Sequence, residues 1–333
     1  MKLAILGGGA WGATLGQLLI DNGHEVIIYD INTTFVDLIN NHHIHPFFDL
    51  PLSNQLKATN DLSVGLAYSD YIVLAVPTKV MRGLLTTINS LLEQPKYFIN
   101  VSKGIEPDTA KRVSEIVNEV IETRFLKGFA VLTGPSHAEE VIRRKLTLLT
   151  VASTDESLAI ELQNVFSNDT YMRVYRSTDL IGCEVGGAVK NAIAVVSGIA
   201  TGLDMGENAR AALITRGILE MVRVIESYGG TKESAFGLTG IGDLIVTATS
   251  EHSRNFKAGK EIGKGKSLEQ IYQEQKQTIE GVRSILALHQ LAEQKGLSLP
   301  IIEVAYHVIY ENMSVDSAVT QLLTRTLKSE KIE

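Results

Sequence analysis

The sequence predicts an α/β protein with two domains: an N-terminal doubly wound parallel sheet over residues 1–180, and an all-helical C-terminal domain over residues 181–333. Three observations carry this. Short β-type runs alternate with amphipathic helical patterns up to about residue 180. A glycine-rich turn, Gly7-Gly8-Gly9-Ala10-Trp11-Gly12, separates the first strand pattern from the first helix. Beyond residue 180 the strand patterns stop and helical ones follow one another. Strand and helix in alternation imply a mainly parallel sheet covered on both faces.

Taken in order, the strands fall at 2–6, 26–29, 71–76, 97–101, 129–132, 148–152 and 172–175. The run 71–76 is almost continuously apolar and is stopped by Pro77, as a buried parallel strand requires. Helical patterns lie between them at 11–21, 34–41, 80–92, 110–121 and 158–166. The second half reads as helices at 184–200, 209–228, 244–249, 256–262, 268–275, 284–294, 301–310 and 315–323, punctuated by glycines at 229–230 and 237–242. The Lys- and Glu-rich end after Leu327 reads as a frayed tail.

The 333 residues exceed most single cores. Hydrophobic residues make up 44% and charged residues 21%, the balance of a globular chain. A net charge of −7 argues against nucleic acid or an anionic membrane as the main partner. An anionic substrate would need local positive charge. The single cysteine, Cys183, excludes an intramolecular disulfide and fits a reducing compartment. The N-terminal apolar run ends in three glycines with no basic region or cleavage site, unlike a signal peptide. No stretch approaches about 18 uninterrupted apolar residues, so no membrane insertion is expected. The expected location is the cytoplasm.

The glycine turn fits GxGxxG in the context its mechanism needs, between a strand and a helix. Gly7 permits the tight turn, Gly9 admits a pyrophosphate against the backbone, and Gly12 lets the helix pack closely. The helix N-terminus then offers N–H groups and partial positive charge to the anion. Asp30 lies eighteen residues past Gly12, after the second strand, where a carboxylate meets ribose hydroxyls. These features predict a Rossmann-type domain that binds a dinucleotide. Asp30 points to NADH over NADPH, with NADP still admissible.

Four further segments carry chemistry: Ser102-Lys103-Gly104-Ile105-Glu106, Gly134-Pro135-Ser136-His137-Ala138, Gly186-Gly187-Ala188-Val189-Lys190-Asn191, and Gly240-Ile241-Gly242-Asp243 through Ser253-Arg254-Asn255. By itself, Lys190 in its apolar run would be a solvent-facing or snorkelling side chain, and Asp243 a helix N-cap. With these segments the chain resembles the soluble, bacterial-type, NAD(P)-dependent glycerol-3-phosphate dehydrogenase family, from the first glycine motif to about Gly281 and less sharply to the end. The resemblance implies reduction of dihydroxyacetone phosphate to sn-glycerol 3-phosphate, with product feeding phospholipid synthesis, and is compatible with a homodimer. It implies that Lys190 is the catalytic lysine, with Lys103 and Asp243 as further catalytic-site residues. An ammonium in a dry site stabilises charge on the carbonyl oxygen and supplies a proton, and burial lowers its pKa towards the working range. It places Gly134, Ser136, Thr247, Ser253, Arg254 and Asn255 around the substrate, with Arg254 and Asn255 as the phosphate grip, since arginine presents a planar fork of donors. It assigns Ala10, Trp11, Lys103, Ala138, Arg254 and Glu280 to the cofactor, beside Gly7, Gly9, Gly12 and Asp30.

The chain departs from the family pattern at several points. The segment 42–51, with His42, His43 and His45, is unlike the usual loop. No carboxylate or cysteine nearby completes a plausible metal ligand set with its three histidines. His137 replaces a bulky apolar residue, and Arg143-Arg144-Lys145-Leu146 replaces a stretch that usually holds glycine and proline. Asp30 stands where many relatives carry a neutral or basic residue. Competing readings are a hydroxyacid or ketopantoate reductase, which would not need a phosphate grip, and a non-catalytic dinucleotide sensor. A nucleotide-sugar dehydrogenase would need a catalytic cysteine, and Cys183 lacks that setting.

Overall fold

The computed structural model describes residues 1–106, 109–274, 279–327 and 329–330. The chain divides into two compact units, Met1–Lys103 with Arg112–Leu180, and Gly104–Lys111 with Ile181–Glu333. The segment 104–111 thus groups with the helical unit although it lies within the first 180 residues.

The first unit is built on an eight-stranded sheet: β1 Lys2–Leu6, β2 Glu25–Tyr29, β3 Lys57–Thr59, β4 Tyr71–Leu74, β5 Lys96–Asn100, β6 Leu126–Thr133, β7 Thr147–Ala152 and β8 Met172–Ser177. Its order is β3-β2-β1-β4-β5-β6-β7-β8. Strands β1 to β6 run parallel; β7 pairs antiparallel with β6, and β8 runs parallel to β7. The predicted doubly wound sheet is borne out. In β1, Leu3 and Ile5 join one core and Ala4 and Leu6 another, so both sheet faces are buried and the strand reads as one apolar run. The order reverses beside β1, with β2 on one side and β4 on the other, which opens a crevice beyond its carboxyl end.

Two elements depart from the sequence reading. Strand β3 and the helix Leu62–Tyr68 fall where only loop was expected. Three residues of strand show too little alternation to register. The helix, in contrast, carries a start signal in Asp61, whose carboxylate accepts the Ser63 N–H at 2.8 Å. The helical pattern at 34–41 resolves into a short helix Thr33–Asp37 and a π-type turn Leu38–His42.

The second unit is helical among its described residues. Its centre is the helix Leu180–Gly202, packed with Gly206–Ser227, Asp243–Thr249, Arg254–Gly263, Glu280–Lys295 and Pro300–Tyr310 around one apolar core. The pattern at 268–275 becomes Leu268–Glu274, with Gln275 outside the described residues. Leu180–Gly202 is the one described helix long and apolar enough to cross a membrane, and 94% of its apolar window is buried. It meets Arg254–Gly263 backbone to backbone: a Cβ on Gly198 would stand 2.2 Å from the Phe256 carbonyl oxygen, and one on Gly259 2.0 Å from that of Val195. Only glycine allows that approach.

Candidate functional site

In the sheet unit, the site forms where β1 turns into the helix Ala10–Asp21. Gly7 has φ +114°, and its Cβ would stand 2.7 Å from the Ala75 carbonyl oxygen. At Gly12 a Cβ would lie 1.9 Å from the Gly7 carbonyl oxygen, so the helix rests on the turn itself. Gly9 differs: nothing lies within 4 Å of the position its Cβ would take. Gly9 precedes the helix, and the first turn, Ala10, Trp11 and Gly12, contains no acidic residue. Its N–H groups have no intrahelical acceptors. An open backbone face at a helix N-terminus with no acidic residue in its first turn suits a diphosphate.

Asp30 leaves the end of β2 and faces this turn. Its Oδ2 accepts the Gly8 N–H at 2.6 Å, and its Oδ1 accepts the Asn32 N–H at 2.7 Å. An ionised carboxylate has about four acceptor directions, so two remain for ribose hydroxyls.

Along the same carboxyl edge, beyond β5 and β6, Lys103 Nζ donates to the Gly134 carbonyl at 2.8 Å and to Ser136 Oγ at 3.1 Å. Gly134 has φ +134°, which turns the chain out of β6. Asn100 fixes the Lys103 loop by bonding both the N–H and the carbonyl of Ser102, each at 3.0 Å. Ala138 opens the short helix Ala138–Val141 after this segment and is buried.

In the helical unit the structure brings together residues more than fifty positions apart. Lys190 lies in the middle of Leu180–Gly202 with 5% of its surface exposed, so the snorkelling alternative does not hold. Its Nζ lies 3.0 Å from Asp243 Oδ1 and donates to Thr247 Oγ1 at 2.7 Å. Asp243, 1% exposed, is the first residue of its helix. Thr247 sits one turn on, its hydroxyl 2.6 Å from the Asp243 carbonyl and 3.2 Å from Oδ1. A buried ammonium held by a carboxylate and a hydroxyl keeps its orientation, as a proton donor must.

Ser253 caps the helix Arg254–Gly263, accepting the Phe256 N–H at 3.2 Å. Arg254 is the first residue of that helix and is exposed. The Asn255 side chain is engaged within the unit. It donates to Asn191 Oδ1 at 2.9 Å and accepts the Gly281 N–H at 2.9 Å, stitching three helices together. A Cβ on Gly281 would stand 2.3 Å from the Asn191 carbonyl oxygen, which fixes this approach. Glu280 begins the third of those helices.

Sequence reasoning did not single out Asn191 as a site residue, although it adjoins Lys190 in the quoted motif. It also gave no role to His45. That residue is 1% exposed, and its Nε2 lies 2.8 Å from the Gly8 carbonyl oxygen. The other loop histidines have separate neighbours: His43 Nδ1 lies 3.1 Å from the Ile39 carbonyl oxygen, and His42 faces Asp37 at 3.8 Å.

The family models of the NAD-dependent glycerol-3-phosphate dehydrogenase N-terminus and C-terminus match residues 2–159 and 179–320. A relative from Acholeplasma laidlawii, named glycerol-3-phosphate dehydrogenase [NAD(P)+], is 61% identical over 332 residues, covering 100% of both chains. One of the same name from Phytoplasma australiense is 52% identical over 99% of this chain and 100% of its own. The solved glycerol-3-phosphate dehydrogenase of Coxiella burnetii superposes with a TM-score of 0.92 at 32% identity, covering 97% of this chain and 99% of that one. A ketopantoate reductase from Ralstonia eutropha gives 0.62 at 16% identity over 97% of this chain and 100% of that one, which shows a shared fold alone. By both halves of its sequence and by full-length identity, the chain belongs to the NAD-dependent glycerol-3-phosphate dehydrogenase family.

Proposed function

We propose that the chain reduces dihydroxyacetone phosphate to sn-glycerol 3-phosphate, with Lys190 as proton donor to the carbonyl oxygen. The observation that carries the reading is the buried Lys190–Asp243–Thr247 cluster in a chain of this family. The nicotinamide supplies the hydride when bound. Negative charge developing on the substrate oxygen is met by the Lys190 ammonium, which stabilises it and transfers a proton. Asp243 and Thr247 hold that ammonium in one orientation, so little reorganisation accompanies the reaction. Arg254 and the N-terminal N–H groups of its helix take the substrate phosphate. Asn255 supports them by fixing that helix against the Lys190 helix. Lys103, with Gly134 and Ser136, forms a second polar cluster for substrate and cofactor.

The turn Gly7 to Gly12 takes the dinucleotide pyrophosphate, with Ala10 and Trp11 in the first helical turn, and Asp30 takes the adenosine ribose. Ala138 and Glu280 belong to the same cofactor reading. Asp30 makes NADH the preferred form, because a 2′-phosphate would meet like charge there. The exposed neighbours Ile31 and Asn32 bring no cation. A cytoplasmic location and supply of phospholipid synthesis belong to the same proposal, and a homodimer is compatible with it.

Following NADH oxidation with dihydroxyacetone phosphate, with ketopantoate and 2-oxoacids as controls, tests the activity. Turnover confined to the controls would replace this reading with the hydroxyacid or ketopantoate one.

A further inference from the structure

We propose that His45 is a positioning residue for the cofactor turn, fixing the Gly8–Gly9 peptide in the orientation that presents Gly9 to the dinucleotide. The proposal rests on the assignment of the Gly7–Gly12 turn to the cofactor.

Gly8 is held on both sides, through the Gly7–Gly8 peptide by its N–H and through the Gly8–Gly9 peptide by its carbonyl. Its N–H donates to Asp30 Oδ2 at 2.6 Å, and its carbonyl faces His45 Nε2 at 2.8 Å. The Phe47 N–H points at His45 Nδ1 at 3.3 Å, so Nδ1 is the acceptor and Nε2 carries the hydrogen that goes to Gly8. Burial depresses the imidazole pKa, which keeps the ring in this neutral form. The ring sits among Phe35, Phe47 and Phe48 at centroid distances of 5.1, 5.1 and 5.3 Å.

The rest of the loop is tied to the sheet unit. The Ser53 N–H donates to Gln17 Oε1 at 2.7 Å, on the helix that the glycine turn opens. Asp49 pairs with Arg143. That pair joins the histidine loop to the Arg143–Leu146 stretch. The loop delivers one hydrogen bond to a glycine backbone, where no side chain restricts rotation.

The test compares NADH binding by fluorescence titration, and steady-state kinetics, in the full chain and in His45→Phe, His45→Gln and Gly9→Val. Phenylalanine keeps the packing and removes the donor; glutamine restores an N–H. His45→Phe is expected to raise the Kd and KM for NADH about three- to tenfold. The loss should fall on these constants rather than on kcat, and His45→Gln should recover most of it. Gly9→Val, whose side chain enters open space, should abolish binding. Unchanged NADH binding in His45→Phe beside abolished binding in Gly9→Val would overturn the role of His45 and leave the turn assignment standing. Unchanged binding in Gly9→Val would overturn both. A His45→Phe protein that loses its thermal transition passes the decision to His45→Gln, where wild-type affinity supports the proposal and a loss equal to that of Gly9→Val overturns it.

Discussion

Replacing Lys190 with methionine should damage stability and activity together, and a second substitution should separate the two. The Lys190 ammonium and Asp243 carboxylate lie 3.0 Å apart, 5% and 1% exposed. At an effective dielectric constant of about 20, their attraction is about 5.5 kcal/mol. Lys190→Met removes the ammonium that faces the buried carboxylate at 3.0 Å, at a cost of about 3–5 kcal/mol. That corresponds to a fall in Tm on the order of 10 °C for a unit of this size. As proton donor, the lysine contributes roughly a hundred- to ten-thousandfold to kcat. Adding Asp243→Asn removes the opposite charge of the pair while keeping an acceptor for Thr247. The double variant should therefore return to within about 1 kcal/mol of the parent, since a whole buried pair adds little net stability. Its kcat should stay at least about a hundredfold down. Thermal melts and saturating NADH-oxidation assays on the parent, the single variant and the double variant decide it. Recovery of kcat together with Tm in the double variant would show that Lys190 acts through folding alone.

Arg254→Ala should raise the KM for dihydroxyacetone phosphate by roughly tenfold to a hundredfold, the loss of charged hydrogen bonds. Its effect on unphosphorylated dihydroxyacetone should be small; equal losses on both substrates would argue against a phosphate contact. Comparing kcat/KM for the two cofactors should show NADH favoured by about ten- to a hundredfold. Asp30→Asn should narrow that gap, and because Asp30 also holds the Gly8 N–H, it should weaken NADH binding too. Glu220 is buried, accepts the Ile301 and Ile302 N–H groups, and has its carboxyl pKa pushed up to about 7, chiefly by burial. Its folded-state pKa exceeds the unfolded value near 4.5, so its contribution is fully present below that value and is lost as pH rises through about 7. Up to about 3 kcal/mol should disappear between pH 5 and 8. Glu220→Gln should flatten that part of the Tm–pH profile, and an unchanged slope would remove Glu220 as its source.

The sequence by itself determined what neighbouring residues specify. The strand, glycine turn and helix at the N-terminus are contiguous, so their order and the roles of Gly7 and Gly12 follow from local sterics. Two-sided burial makes β1 and β4 continuous apolar runs, and the end of the strand patterns near residue 180 marks the change to helices. Recognising Lys190 needed the family resemblance, because a lysine in an apolar helix has no local signature separating a buried acid from a snorkelling side chain. Tertiary structure decided what depends on distant partners. Alternation does not encode strand direction, so the reversal of β7 and β8 was not legible. Asn255 read as a phosphate ligand, and only the fold showed that its amide also bonds Asn191 and the Gly281 N–H. His45 stood in a loop without a recognisable pattern, and its meaning appeared only when the chain folded it against Gly8, thirty-seven residues earlier. A hydrogen bond between such positions is set by the packing of whole elements, which no local window of sequence contains.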